Sequence, residues 1–119
     1  MSSTEHRLRI AQEDGIVRIG FVDRNILDEG SIQLIGEEIR RIIEESDAPR
    51  LLIDFADVDH LSSAALGILI SVNNRMREKG GQLRLANIDP QIYEVFAITK
   101  LNKLFEIHET TGDAIASFM

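Results

Sequence analysis

Leu51-Leu52-Ile53-Asp54-Phe55 restricts what this chain can become more than any other segment. It is a short, nearly continuous apolar run that Ala48-Pro49 introduces and polar residues follow. A strand with no wet face needs a layer on each side, as strands of parallel sheets have. The preceding residues supply one such layer. Ile32, Ile35, Ile39 and Ile42 recur at spacings that line one face of a helix, while Glu37, Glu38, Arg41, Glu44 and Glu45 mostly take the other side. Glu37 and Arg41 stand four apart in the favourable order. Ser46-Asp47-Ala48-Pro49 stops that helix.

The pattern extends in both directions. Leu8 and Ile10 alternate with Arg7 and Arg9 as in a half-buried strand, Asp14-Gly15 signals a turn, and Ile16 to Val22 reads as a second strand. The two form an antiparallel hairpin. Asp23 to Leu27 is polar and irregular. Beyond the central strand, a helix covers about Ala64 to Lys79, with Leu66, Leu69, Ile70 and Met76 apolar and Gly80-Gly81 closing it. Leu83 and Leu85 then alternate with Gln82, Arg84 and Ala86. Asp89-Pro90 is an N-cap followed by a first-turn proline, and Ile92, Val95 and Phe96 form the apolar side of the helix it opens. Leu104 to Ile107 reads as a short last strand, and Thr110 or Thr111 caps a terminal helix carrying Ile115 and Phe118. Two strands followed by alternating helix and strand imply right-handed crossovers and a mostly parallel sheet. The pattern predicts an α/β sandwich.

Composition narrows the function classes. In 119 residues there is no repeat, low-complexity tract or Pro/Ser-rich linker, so one domain is expected. Thirteen basic against twenty acidic side chains give a net charge of −7, which disfavours non-specific binding to nucleic acid or anionic lipid. With one tyrosine and no tryptophan, a stacking platform for single strands is not expected either. The absence of cysteine removes disulfides and thiolate chemistry and fits a reducing cytosol. The longest apolar stretch, Ala64 to Val72, is far short of the roughly 20 residues that span a bilayer. Met1 to His6 has neither a basic nor an apolar leader region. The expectation is a soluble, acidic, cytoplasmic domain that does not insert into membranes.

No catalytic or cofactor constellation stands out. His6, His60 and His108 lie far apart and share no metal-ligand spacing. Asp59, His60, Ser62 and Ser63 have triad chemistry, but residues this close along a chain rarely face one another, and no G-x-S-x-G elbow presents the serine. Gly80-Gly81 follows a helix, whereas phosphate loops follow a strand. Glu37-Glu38 and Glu44-Glu45 lie on a solvated helix face without an apolar pocket to raise a pKa. An enzyme is therefore not expected, nor is a metal or cofactor.

The segment Val58 to Leu69 carries the remaining chemistry. Ser62 and Ser63 sit where a buried strand leads into a helix, beside backbone N–H groups that lack intrahelical partners. One serine is a helix cap on the simplest reading. On the other, one is a phosphate acceptor, because a helix N-terminus tolerates the added dianion.

At these residues the sequence resembles the STAS domain of anti-sigma factor antagonists. That family's motif is Asp-Ser-Ser/Thr-Gly-Leu-Gly at a helix start, and Leu61-Ser62-Ser63-Ala64-Ala65-Leu66-Gly67 lies on it. Leu66-Gly67 matches the closing pair, and Ser63 falls where the phosphorylated serine stands. Gly20-Phe21-Val22-Asp23 is similar to the family's Gly-Glu-Leu-Asp, and Leu51 to Phe55 to its central strand. Gly80 to Leu85 and Ile88 to Phe96 resemble the turn, strand and helix that follow.

The resemblance implies a single STAS domain over residues 1–119, with a mixed, mostly parallel sheet of four to five strands and about four helices. It also implies a partner switch. The unphosphorylated antagonist binds an anti-sigma factor that is a serine kinase, phosphorylation releases it, and a serine/threonine phosphatase resets it. Ser63 would then be the switch, with Ser62 as the alternative acceptor. Asp23, Asn25, Asp59, Ser62, Ser63, Ala64 and Leu66 would form the partner-binding face. Two departures from the motif matter: Ser62 stands where the family has an acid, and Ala65 where it has glycine. The other role open to such a fold is a constitutive subunit of a lipid-transport ATPase complex or of a stress-sensing scaffold.

Overall fold

A computed structural model describes residues 8–118. His6, and the Met1 to His6 stretch read for a leader, lie outside the described residues. Strands β1 (Leu8–Glu13) and β2 (Ile16–Phe21) form the hairpin, and β3 (Asn25–Ile26) follows it. Helix α1 (Glu29–Glu44) leads to β4 (Arg50–Asp54) and β5 (His60–Leu61). Then come α2 (Ser63–Glu78), β6 (Gln82–Ala86), α3 (Pro90–Ile98), a 3-10 turn (Leu101–Lys103), β7 (Glu106–His108) and α4 (Thr111–Ser117).

The five-stranded sheet runs β1-β2-β4-β6-β7, parallel except for β1. Asp14 and Gly15 close the hairpin with φ of 55° and 78°, the two-residue turn whose twist matches the strands. Each crossover advances in the same direction across the sheet, so right-handedness puts α1, α2 and α3 on one face. The core divides accordingly. Ile19, Leu51, Ile53 and Leu85 pack under those three helices, while Ile16, Leu52 and Ala86 pack under Ala114 of α4 and Phe118, its C-cap. Leu51, Leu52 and Ile53 are each 0% exposed, as an apolar run between two layers requires.

Helix α2 ends as Gly80-Gly81 predicts. The N–H of Gly80 donates to the Arg77 carbonyl at 3.1 Å and that of Gly81 to the Met76 carbonyl at 2.8 Å, with Gly80 at φ 68°. A Cβ on Gly81 would lie 2.5 Å from the Pro49 carbonyl oxygen, so the two loops at this end of the sheet meet only because that residue is glycine.

Four expectations are corrected. Ile10 is exposed, because β1 is an edge strand beyond the helix layer. Ile43, more than the half-buried Ile42, completes the inner face of α1. Val95 is exposed because α3 turns Ile92 and Phe96 inward, one helical turn apart. The last strand begins at Glu106 instead of Leu104. Lys100, at φ 63°, ends α3, a 3-10 turn follows, and Phe105 enters the core edge-on to Phe96 with ring centroids 5.9 Å apart.

Candidate functional site

The segment read as irregular, Asp23 to Leu27, contains β3, which pairs in parallel with β5: Asn25 with His60 and Ile26 with Leu61. Backbone bonds tie the ribbon together. The N–H groups of Asp59 and His60 donate to the Arg24 carbonyl at 2.7 and 3.3 Å, and that of Ser62 donates to the Ile26 carbonyl at 3.0 Å. Buried Ile26 anchors the ribbon to the core. A two-residue strand carries too little periodicity to be seen in sequence, and its partner lies 35 positions away.

Side chains add two clamps on the outer surface. The Arg24 guanidinium donates to both carboxylate oxygens of Asp59, at 2.9 and 3.3 Å. That hydrogen bonding, together with the charge of Asp59, raises the Arg24 pKa above its ordinary value. Nδ1 of His60 lies 2.7 Å from Oδ1 of Asn25, and an amide oxygen only accepts, so Nδ1 carries the proton in this pair. The triad reading therefore fails on geometry. His60 is directed to Asn25, Asp59 to Arg24, and the Ser62 hydroxyl to a backbone amide.

Ser62 is the N-cap of α2, with φ −83° and ψ 167°. Its Oγ accepts from the Ala65 N–H at 3.2 Å and its carbonyl from the Leu66 N–H at 3.1 Å. Ser63 is the first helical residue. It is exposed, and its hydroxyl has no hydrogen-bond partner among the described residues. The register thus separates the pair: one hydroxyl completes the helix and its neighbour faces solvent above the first turn.

Asp23, Asn25, Ser63 and Ala64 are exposed at this one end of the sheet, and Asp59 is partly so. Leu66 is a correction: at 8% exposure it belongs to the core, inside the first turn of α2. Three residues of this surface went unnoticed in the sequence. Arg24 is one, and the exposed apolar side chains Val22 and Leu27 flanking β3 are the others. Apolar side chains at 43% and 54% exposure beside a loop ribbon were the only signal, and it needs the fold to be read. Among the described residues no helix is long and apolar enough to cross a membrane.

Comparison with known proteins agrees with this architecture. The STAS domain family model matches residues 8–114. The anti-sigma-B factor antagonist of Bacillus subtilis is 25% identical over 81 residues, covering 68% of this chain and 72% of that protein. An anti-sigma-factor antagonist (STAS) domain protein from Planctomyces limnophilus superposes with a TM-score of 0.83 at 21% identity, over 94% of this chain and 97% of that one. The phosphorylated form of the Bacillus cell fate determinant SpoIIAA superposes with a TM-score of 0.72 at 17% identity, over 94% and 99%. The family match runs from the first strand of the hairpin into the terminal helix and takes in the capped start of α2, so the chain belongs to the STAS domain family.

Proposed function

We propose that this STAS domain is an anti-sigma factor antagonist, a regulatory binding protein and not a catalyst, and that phosphorylation of Ser63 switches its partners. One observation carries the reading: Ser62 caps α2 while the exposed hydroxyl of Ser63, beside it, has no hydrogen-bond partner among the described residues. A kinase can take Ser63 as acceptor without removing the cap. Transfer from ATP would form the Oγ–P bond, displace ADP and release the hydroxyl proton. The product carries about −1.5 to −2 charge at a helix N-terminus whose dipole and free N–H groups accommodate an anion. The fold would survive while the docking surface gains negative charge locally.

In this reading the unphosphorylated domain presents Val22, Leu27, Asn25 and the α2 start to an anti-sigma factor with serine kinase activity in the cytoplasm, and a serine/threonine phosphatase restores it. Exposed apolar residues inside a polar rim suit such a reversible interface. Names of relatives support the class of partner, since the Bacillus subtilis protein is an anti-sigma-B factor antagonist.

The test is a paired affinity capture with Ser63→Ala and Ser63→Asp as baits, followed by mass-spectrometric identification. An ATP-binding anti-sigma kinase is expected with the alanine bait and not with the aspartate bait. Phosphopeptide mapping after incubation with that kinase then places the group on Ser63 or Ser62. Equal retention of the same partners by both baits would replace the switch with a constitutive subunit role.

A further inference from the structure

Among the described residues, no strand pairs with the outer edge of β1. The tight turn makes Glu13 and Ile16 a hydrogen-bonded pair, so Ala11 with Arg18 and Arg9 with Gly20 also direct their backbone groups toward β2. The N–H and C=O groups of Leu8, Ile10 and Gln12 consequently point outward. Ile10 is a large apolar side chain left 44% exposed there. Arg9 and Glu13 stand two residues to either side of Ala11, on one face of the strand.

We propose that β1 of a second copy pairs antiparallel with this edge, with Ala11 on the two-fold axis. Ile10 then exchanges both backbone hydrogen bonds with Gln12 of the second copy, and symmetry repeats the exchange. Arg9 faces Glu13 of the second copy and Glu13 faces its Arg9, two opposite-charge pairs from one relation. The two Ile10 side chains lie diagonally across the junction and cover each other in part. Centring the pair on Ile10 instead would set Arg9 against Ala11 and Glu13 against Arg7, so only the register centred on Ala11 opposes charges that both lie in β1. In the single chain Arg9 Nη1 donates to Asp57 at 2.9 Å, but both side chains are more than half exposed, so exchanging that partner costs little.

The product is a continuous ten-stranded sheet from two five-stranded ones. Its axis is normal to the sheet, which sends the two α2 starts to opposite ends. Ser63 stays accessible in both copies, so the dimer does not depend on the partner switch. Edge pairing buries little area, and association is accordingly weak.

The chain has no cysteine, so a single introduced one reports unambiguously. Under a glutathione redox buffer, Ala11→Cys should form disulfide dimer several-fold more than Gln12→Cys, because only position 11 meets itself. Sedimentation equilibrium of the full chain should show reversible dimer. Arg9→Glu and Glu13→Arg should each weaken it about tenfold, since each turns two attractive pairs repulsive, and the double exchange should restore it. Equal disulfide yields at the two positions overturn the proposal. So does a double exchange no better than the singles, or a chain monomeric to millimolar concentration.

Discussion

The hydroxyl of Ser62 accepts a hydrogen bond from the backbone N–H of Ala65 at 3.2 Å. Ser63, one position on, has no such engagement among the described residues and lies in solvent. The two serines should therefore differ in stability before they differ in signalling. Ser62→Ala should lower the unfolding free energy by about 1 kcal/mol, the usual loss for a serine cap. Ser63→Ala and Ser63→Asp should stay within about 0.5 kcal/mol of the parent, as surface changes do. Urea unfolding of the three variants measures this, and equal losses at both positions would contradict the assignment of the cap.

Leu27 follows buried Ile26 and precedes Asp28, the N-cap of α1, yet is 54% exposed. Its side chain supports nothing in the folded core, so Leu27→Lys should leave the urea midpoint unchanged. If the ribbon end is the docking face, the same change should reduce affinity for the anti-sigma kinase by about tenfold or more, the loss typical of an apolar anchor. Isothermal titration with the captured kinase reads the effect. Unchanged affinity would move the interface elsewhere.

Asn73 lies on the inner side of α2 at 7% exposure, and its Nδ2 has no hydrogen-bond partner among the described residues. A buried unpaired donor costs about 1–3 kcal/mol. Asn73→Leu keeps the branching and heavy-atom number of the side chain and removes that donor, and should raise stability by about 1 kcal/mol or more. Asn73→Ala should not show the same gain, because it leaves a void. Thermal unfolding separates the two, and a destabilised leucine variant would show that the amide has a partner in solution.

The Arg75 guanidinium grips Glu44 across the α1–α2 groove, with Nη2 donating to Oε1 at 2.8 Å and Nε to Oε2. Hydrogen bonding from Arg75 outweighs desolvation and, with its charge, holds the Glu44 carboxyl at about 2, against an ordinary 4.5. Between those values the unfolded chain binds a proton that the folded chain does not. The contribution of the pair is thus complete above about 4.5 and is lost as pH falls toward about 2. Both side chains are nearly half exposed, so the effect is modest and salt-sensitive. The difference in urea midpoint between the parent and Glu44→Gln should narrow steadily from pH 6 to pH 3. A difference independent of pH would show that the pair contributes nothing through its charge.

Much of the architecture is local in origin and was legible in the chain itself. Isoleucine spacing placed α1, the Leu51 to Ile53 run placed β4 between two layers, and Gly80-Gly81 closed α2, because periodicity and turn chemistry act over a few residues. The Ser62-Ser63 pair marked the α2 start for the same reason. Only the tertiary structure decided which hydroxyl was left over. A one-residue phase at the helix start assigns Ser62 to the Ala65 amide and frees Ser63, and that phase is set by the bond from the Ser62 N–H to the Ile26 carbonyl. The β3–β5 ribbon, the Arg24–Asp59 clamp and the burial of Leu66 beside exposed Ala64 depend likewise on segments 35 or more residues apart, or on packing. Contacts between distant segments leave no periodic trace in either one, so the sequence pointed to the start of α2, while Arg24, Val22 and Leu27 came to this surface only through the fold.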